Sequence, residues 1–187
     1  MKDIVLFWIQ GSWKGTQAKL LLEKYPEFQY FEPGQIFRAL NSNENLISKY
    51  VKETVARGEM VNDSLLFDLF KLSINIVKDK AMIMDGFPRT KPQMEFFLKT
   101  EIEQGRDFVA INFNLDKEKA IERIKQRAIE QNRTDDVEES IKKRLEAFEK
   151  ETMPVIDYLR DNGKIIEIDA DQSIENIFAE VIKIIEQ

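Results

Sequence analysis

Cysteine and histidine are both absent from the 187 residues. The first absence excludes disulfides and thiolate zinc ligation, which suits a reducing compartment. The second removes the commonest general base and metal ligand, so any chemistry falls to carboxylates, Lys, Arg and backbone groups. Reactions that need charge stabilisation more than proton transfer are thereby favoured. Long apolar runs are missing too. The run from Ile4 to Ile9 is too short for a signal peptide or a membrane span, and we expect a cytoplasmic protein without membrane contact. Positive charge is in deficit, with 28 Lys and Arg against 34 Asp and Glu and a net charge of -6. That balance argues against a general footprint for nucleic acid, although a local basic cleft can still form.

What is present suits one globular domain. Hydrophobic residues make up 43% of the chain and charged residues 33%, too apolar for disorder, and the length suffices for one sizeable core. Three apolar runs of strand length, Ile4 to Phe7, Ala81 to Met84 and Phe108 to Phe113, each precede a turn signal and a helical pattern. Phe28 to Phe31 and Lys164 to Ile168 complete a set of five strands. Such alternation predicts an α/β fold with a parallel sheet flanked by helices. Between Gly34 and Val77 the pattern is helical only, with boundaries at Asn41-Ser42-Asn43 and Gly58 and a cap at Asn62 or Asp63. A long charged helix is expected from Val137 to Leu159, broken near Pro154, and a closing helix from Ser173 to Ile185. The Phe-rich stretch Leu65 to Phe70, with Phe96 and Phe97, reads as core.

Gly11-Ser12-Trp13-Lys14-Gly15-Thr16 lies between a buried strand and a helix start, where backbone N–H groups and the helix dipole can hold phosphate. Asp85-Gly86-Phe87-Pro88-Arg89-Thr90 ends the third strand in chain order, at the sheet edge where open α/β folds bind ligands. A carboxylate at the end of a buried strand is costly unless it has a partner or a task. A third element, Arg133-Thr134-Asp135-Asp136, precedes the long charged helix.

In order and spacing these three motifs resemble the adenylate kinases, whose phosphate loop has the form Gly-x-x-Gly-x-Gly-Lys-Gly-Thr. The likeness runs from end to end of the chain. It implies a short-lid nucleoside monophosphate kinase fold. The core would be 1–30, 61–126 and 138–187, the monophosphate arm about 31–60 and the lid about 127–137. ATP would meet Gly11, Ser12, Trp13, Lys14, Gly15, Thr16, Arg123, Arg127 and, at the adenine, Gln172. AMP would meet Pro33, Arg38, Met60, Val61, Gly86, Arg89, Arg133 and Arg144, with Gln93 reading the base. Lys14, Arg89, Arg123, Arg133 and Arg144 would be catalytic, and Asp135 would orient the lid arginines. Thr16 and Asp85 would serve Mg²⁺, the latter through water. A brief lid without Cys or His excludes the usual structural zinc. The resemblance implies reversible phosphoryl transfer from MgATP to AMP by a monomer. A UMP/CMP kinase, or a nucleotide-kinase-like binding module without activity, are the alternatives.

The chain departs from the family in two places. Aligned on Lys14, the first and third loop glycines fall on Trp8 and Trp13, the chain's two tryptophans. A Cβ disfavours the loop's backbone angles and an indole crowds the phosphate, so ATP binding and turnover are expected to be poor. Both TGG and TGA lie one base from a glycine codon, and TGA is read as glycine in some codes. We therefore expect glycine at both positions in the natural protein. In the arm, the family's Ser-Thr-Gly-Asp is Glu32-Pro33-Gly34-Gln35.

Overall fold

The computed structural model describes residues 1–8, 14–40, 44–57, 59–130 and 138–186; the side chains of 14, 55, 127–130, 138 and 140 lie outside that description. Five strands, β1 (Asp3–Trp8), β2 (Gln29–Phe31), β3 (Met82–Asp85), β4 (Phe108–Asn114) and β5 (Ile165–Asp169), form one sheet in the order β2-β3-β1-β4-β5. Every pairing is parallel. The expected five-stranded parallel sheet is thus observed, and all strand carboxyl ends share one edge.

Why these segments pair follows from their side chains. β1 is buried along its whole length, as a central strand covered on both faces must be. Val5 and Phe7 point to one side, where α4 (Asp63–Val77), α5 (Lys91–Glu103) and α8 (Met153–Asp161) supply Phe70, Phe97, Val155 and Leu159. Ile4, Leu6 and Trp8 point to the other, against Leu21 of α1 (Lys14–Lys24) and Ile177 and Val181 of α9 (Ile174–Ile185). The period of two along one strand therefore specifies a three-layer molecule. Burying a residue such as Phe70 or Phe97 contributes about 2–3 kcal/mol. The Phe-rich stretch is core as expected: Phe70 packs on Phe87 with ring centroids 4.7 Å apart, and Phe67 stacks on Phe96 at 4.0 Å.

The helical segment between β2 and β3 divides into α2 (Pro33–Leu40), α3 (Leu46–Ala56) and α4. Phe37, Val51 and Val61 form a small apolar cluster of their own, which lets α2 and α3 pack on each other with little help from the main core. Asn62 caps α4 by accepting the amide of Ser64. The long charged stretch expected from Val137 to Leu159 is α7 (Glu138–Ala147), a π-turn at Phe148–Thr152, and α8, with α6 (Lys117–Glu130) before it in the chain. Pro154 stands in the first turn of α8, where its missing N–H is harmless, so the break occurs at the π-turn before it.

Trp8, which the resemblance aligns with the first loop glycine, is part of the core. The resemblance puts this position in the phosphate loop, yet the indole is the last residue of β1, paired with Phe113 and only 6% exposed. An even-numbered side chain on β1 must face the α1/α9 layer, and the indole fills that layer's upper end. Trp13 lies outside the described residues.

Candidate functional site

The site is assembled where β1, β2 and β3 end. Five residues, 9–13, connect the last residue of β1 to Lys14 at the start of α1, so the amino end of that helix stands at the carboxyl edge of the sheet. A helix amino end carries partial positive charge and spare N–H groups, a setting that suits phosphate. Thr16 is half-buried in the first turn, and Gly15 is exposed with open space around it. Gly11, Ser12, Trp13, Arg133 and Asp135 lie outside the described residues, as do the side chains of Lys14 and Arg127.

Beside this helix start, β3 ends in Asp85, 1% exposed. The chain turns at Gly86 with φ +82, a conformation that glycine adopts readily. The turn also leaves no room for a side chain, since a Cβ at Gly86 would fall 2.4 Å from Nη2 of Arg89. Arg89 folds back over this gap and donates its Nε–H to the Gly86 carbonyl at 2.8 Å. Its backbone is clamped as well. The Arg89 amide donates to Oε1 of Gln93 at 2.8 Å, and the Thr152 hydroxyl donates to the Arg89 carbonyl at 3.0 Å. Thr90 caps α5 by accepting the amide of Gln93. The three bonds to Arg89 itself hold it in one pose, which is the preorganisation that charge recognition requires.

Burial holds the pKa of Arg89 below its ordinary value. The charges acting on it are Asp85, which raises it, then Arg144, which lowers it, Glu32, which raises it, and Arg38, which lowers it. Asp85, Arg144, Glu32 and Arg38 are thus the charged groups near enough to Arg89 to act on its guanidinium. Arg144 and Arg38 act on Arg89 as like charges, and an anion bound near it would offset their effect. Arg38 reaches the edge from the last turn of α2, where Nη2 meets Oε1 of Glu32 at 2.7 Å. Pro33, buried, opens the same helix, and Met60 and Val61 line the return from the arm.

Arg123 of α6 sits at the β5 side of the same edge, donating Nη1–H to the Ala170 carbonyl at 3.0 Å, with Nη2 3.5 Å from Asp171. Gln172 is in that loop, its Nε2 donating to the Asp169 carbonyl and to Glu180. Gln93 is 2% exposed and commits one donor to Oδ1 of Asp63 at 2.7 Å and one acceptor to the Arg89 amide. A carboxamide has a second donor and a second lone pair, so it can brace Arg89 and still face a ligand.

Several partners here had no signal in the sequence. Thr152 and Asp63 are single polar residues on distant helices. Tyr30, one residue before the end of β2, places its hydroxyl 2.8 Å from Oδ2 of Asp85 and 3.1 Å from Oε2 of Glu32. Burial, together with those two carboxylates, pushes the Tyr30 phenol far up, so it stays protonated and donates.

Comparisons with known proteins agree with this geometry. A family model described as adenylate kinase matches residues 7–164. An adenylate kinase of Bacteroides fragilis is 34% identical over 188 residues, spanning 100% of this chain and 99% of its own. An adenylate kinase of Phocaeicola vulgatus is 32% identical over 189 residues and 100% of both chains. A UMP-CMP kinase of Mus musculus is 32% identical over 200 residues, 100% of this chain and 99% of its own. A match over most of the chain, on a five-stranded parallel sheet with a buried aspartate at the carboxyl end of β3, means that the chain belongs to the adenylate kinase family.

Proposed function

We propose that this protein transfers a phosphoryl group reversibly from MgATP to AMP, giving two ADP. The observation that supports the reading is a clamped, half-buried Arg89 beside the buried Asp85 at the carboxyl edge of β3, on a chain that matches the adenylate kinase family model. Phosphoryl transfer asks a protein mainly to align donor and acceptor and to neutralise spreading negative charge. Arginines held in fixed poses serve that task, and loss of one such group typically costs on the order of 10²-fold in rate.

In this reading the triphosphate lies along residues 11–16, with Lys14 on the transferred group and Arg123, Arg127 and Gln172 on the donor nucleotide. The monophosphate lies between Arg38, Arg89, Arg133 and Arg144, with its base against Gln93 and with Pro33, Met60, Val61 and Gly86 as walls. Residues about 31–60 form an acceptor arm and about 127–137 a short lid containing Asp135. Both would close over substrate and exclude water. A buried carboxylate, Asp85, and a hydroxyl, Thr16, are an all-oxygen set that fits Mg²⁺, a cation that keeps most of its waters and leans on phosphate oxygens. Asp85 and Thr16 would hold Mg²⁺ with ATP, and the cation would supply charge neutralisation on the triphosphate. The protein is taken to act as a cytoplasmic monomer; among the described residues, no helix is long and apolar enough to cross a membrane.

Trp8 and Trp13 are expected to impair the donor side. Parallel assays of AMP, CMP and UMP as acceptors of the ATP phosphoryl group test the reading. AMP is expected to be preferred at least tenfold, resting on Gln93. Preference for CMP or UMP would replace it with the pyrimidine reading, and nucleotide binding without turnover in the glycine-restored chain would replace it with a binding module.

A further inference from the structure

Glu32 stands directly after β2 and before Pro33, where it is drawn into the arginine cluster. Its side chain is only 19% exposed, and each carboxylate oxygen is engaged. Oε1 accepts from Nη2 of Arg38 at 2.7 Å, and Oε2 lies 3.1 Å from the Tyr30 hydroxyl. That hydroxyl is also 2.8 Å from Asp85. A phenol has a single proton, so Glu32 and Asp85 compete for one donor, and the cluster holds one acceptor more than the phenol can satisfy. Arg38 is therefore the chief hold on Glu32. The pair is seated over the first turn of α2. A Cβ at Gly34 would come 3.1 Å from Nη1 of Arg38 and 3.4 Å from Oε1 of Glu32.

We infer that Glu32 is an internal stand-in for the acceptor phosphate, occupying Arg38 with its carboxylate until a nucleoside monophosphate displaces it. The inference rests on the reading of Arg38 as an acceptor-phosphate residue. A carboxylate and a phosphate face offer a guanidinium the same thing, paired oxygens at a spacing its N–H groups can meet. Displacement does not remove the charge. Once Arg38 turns to phosphate, Glu32 remains beside the site through its position after β2 and repels the incoming dianion. Both effects weaken monophosphate binding, and a partly exposed pair of this kind sets the loss at about two- to fivefold in Kd. Glu32 is in this sense a residue that sets acceptor affinity.

The test is equilibrium binding of AMP and of adenosine to the full chain and to Glu32→Gln, with Arg38→Ala as reference. Calorimetry reads AMP, and NMR titration reads adenosine. Binding makes the result independent of the donor loop. Glu32→Gln keeps shape and removes charge, so AMP is expected to bind about two- to fivefold tighter while adenosine, which lacks the phosphate, is unchanged. Arg38→Ala is expected to weaken AMP at least tenfold. Glu32→Ser provides a second charge-removing variant with the same expected direction. The inference falls if AMP affinity is unchanged or weaker in both Glu32 variants while Arg38→Ala weakens it, or if adenosine tightens as much as AMP does. If Arg38→Ala leaves AMP affinity intact, the acceptor-site reading itself is refuted and the inference goes with it.

Discussion

Replacing Glu101 with glutamine should flatten the pH dependence of folding. Glu101 lies in α5 at 2% exposure, and among the described residues neither of its carboxylate oxygens has a hydrogen-bond partner. Next to it, Asp3, 1% exposed, is held by Arg106 through Nε at 2.7 Å and Nη2 at 2.6 Å, and by the Met82 amide at 2.7 Å. Arg106 is spent on Asp3 and on the carbonyls of Lys78 and Lys80. Burial first, and the Asp3 charge second, push Glu101 from the ordinary 4.5 up to about 8, with Arg106 opposing. Its pKa is raised on folding, so the stabilising contribution is complete below the unfolded value near 4.5 and is lost as pH rises toward 8. At pH 7 the native state must hold a proton that the unfolded chain has released. The cost reaches about 3 kcal/mol at about pH 7 and about 4–5 kcal/mol above about pH 8. The glutamine side chain would keep the shape, need no proton, and be able to donate to Asp3. Urea unfolding of both proteins from about pH 5 to about pH 8.5 measures the difference. The variant should gain on the parent by a few kcal/mol across that span, or roughly 6–12 °C in Tm for a chain of this length. Parallel curves would refute the reasoning, because they would mean that Glu101 ionises in the folded state without penalty.

The same corner of the molecule predicts that Arg106→Ala costs about 3–5 kcal/mol in urea unfolding, since it leaves a buried Asp3 unpaired, while AMP affinity stays unchanged. Gly86→Ala places a Cβ 2.4 Å from Arg89 at φ +82 and should both destabilise the fold by about 1–3 kcal/mol and weaken AMP at least tenfold by calorimetry. Trp8→Gly with Trp13→Gly should raise ATP affinity and turnover in a coupled assay; a variant that folds and stays inert would remove the expectation that glycines belong there. Thr90→Ala removes the α5 cap and should lower stability by about 1 kcal/mol on thermal unfolding.

Chain order and residue chemistry determined much of this protein before any coordinates. Apolar runs separated by helical patterns specify parallel pairing, because strands covered on both faces read as continuous hydrophobic segments and their connections must cross over. The Asp85 to Thr90 motif was equally visible, since a carboxylate ending a buried strand and an arginine four residues later are neighbours along the chain. What only tertiary structure decided is who meets that arginine. Thr152 comes from a π-turn, and the charges that act on it, Arg144 from α7 and Arg38 and Glu32 from the arm, come from distant segments, as does Tyr30 of β2, which meets the neighbouring Asp85. Each is an ordinary polar residue in its own segment, and sequence spacing carries no information about such encounters. Trp8 shows the same limit from the other side. Aligned by motif it belongs to a loop, but the register of β1 turns every even side chain toward α1 and α9, and the sheet takes the indole into the core.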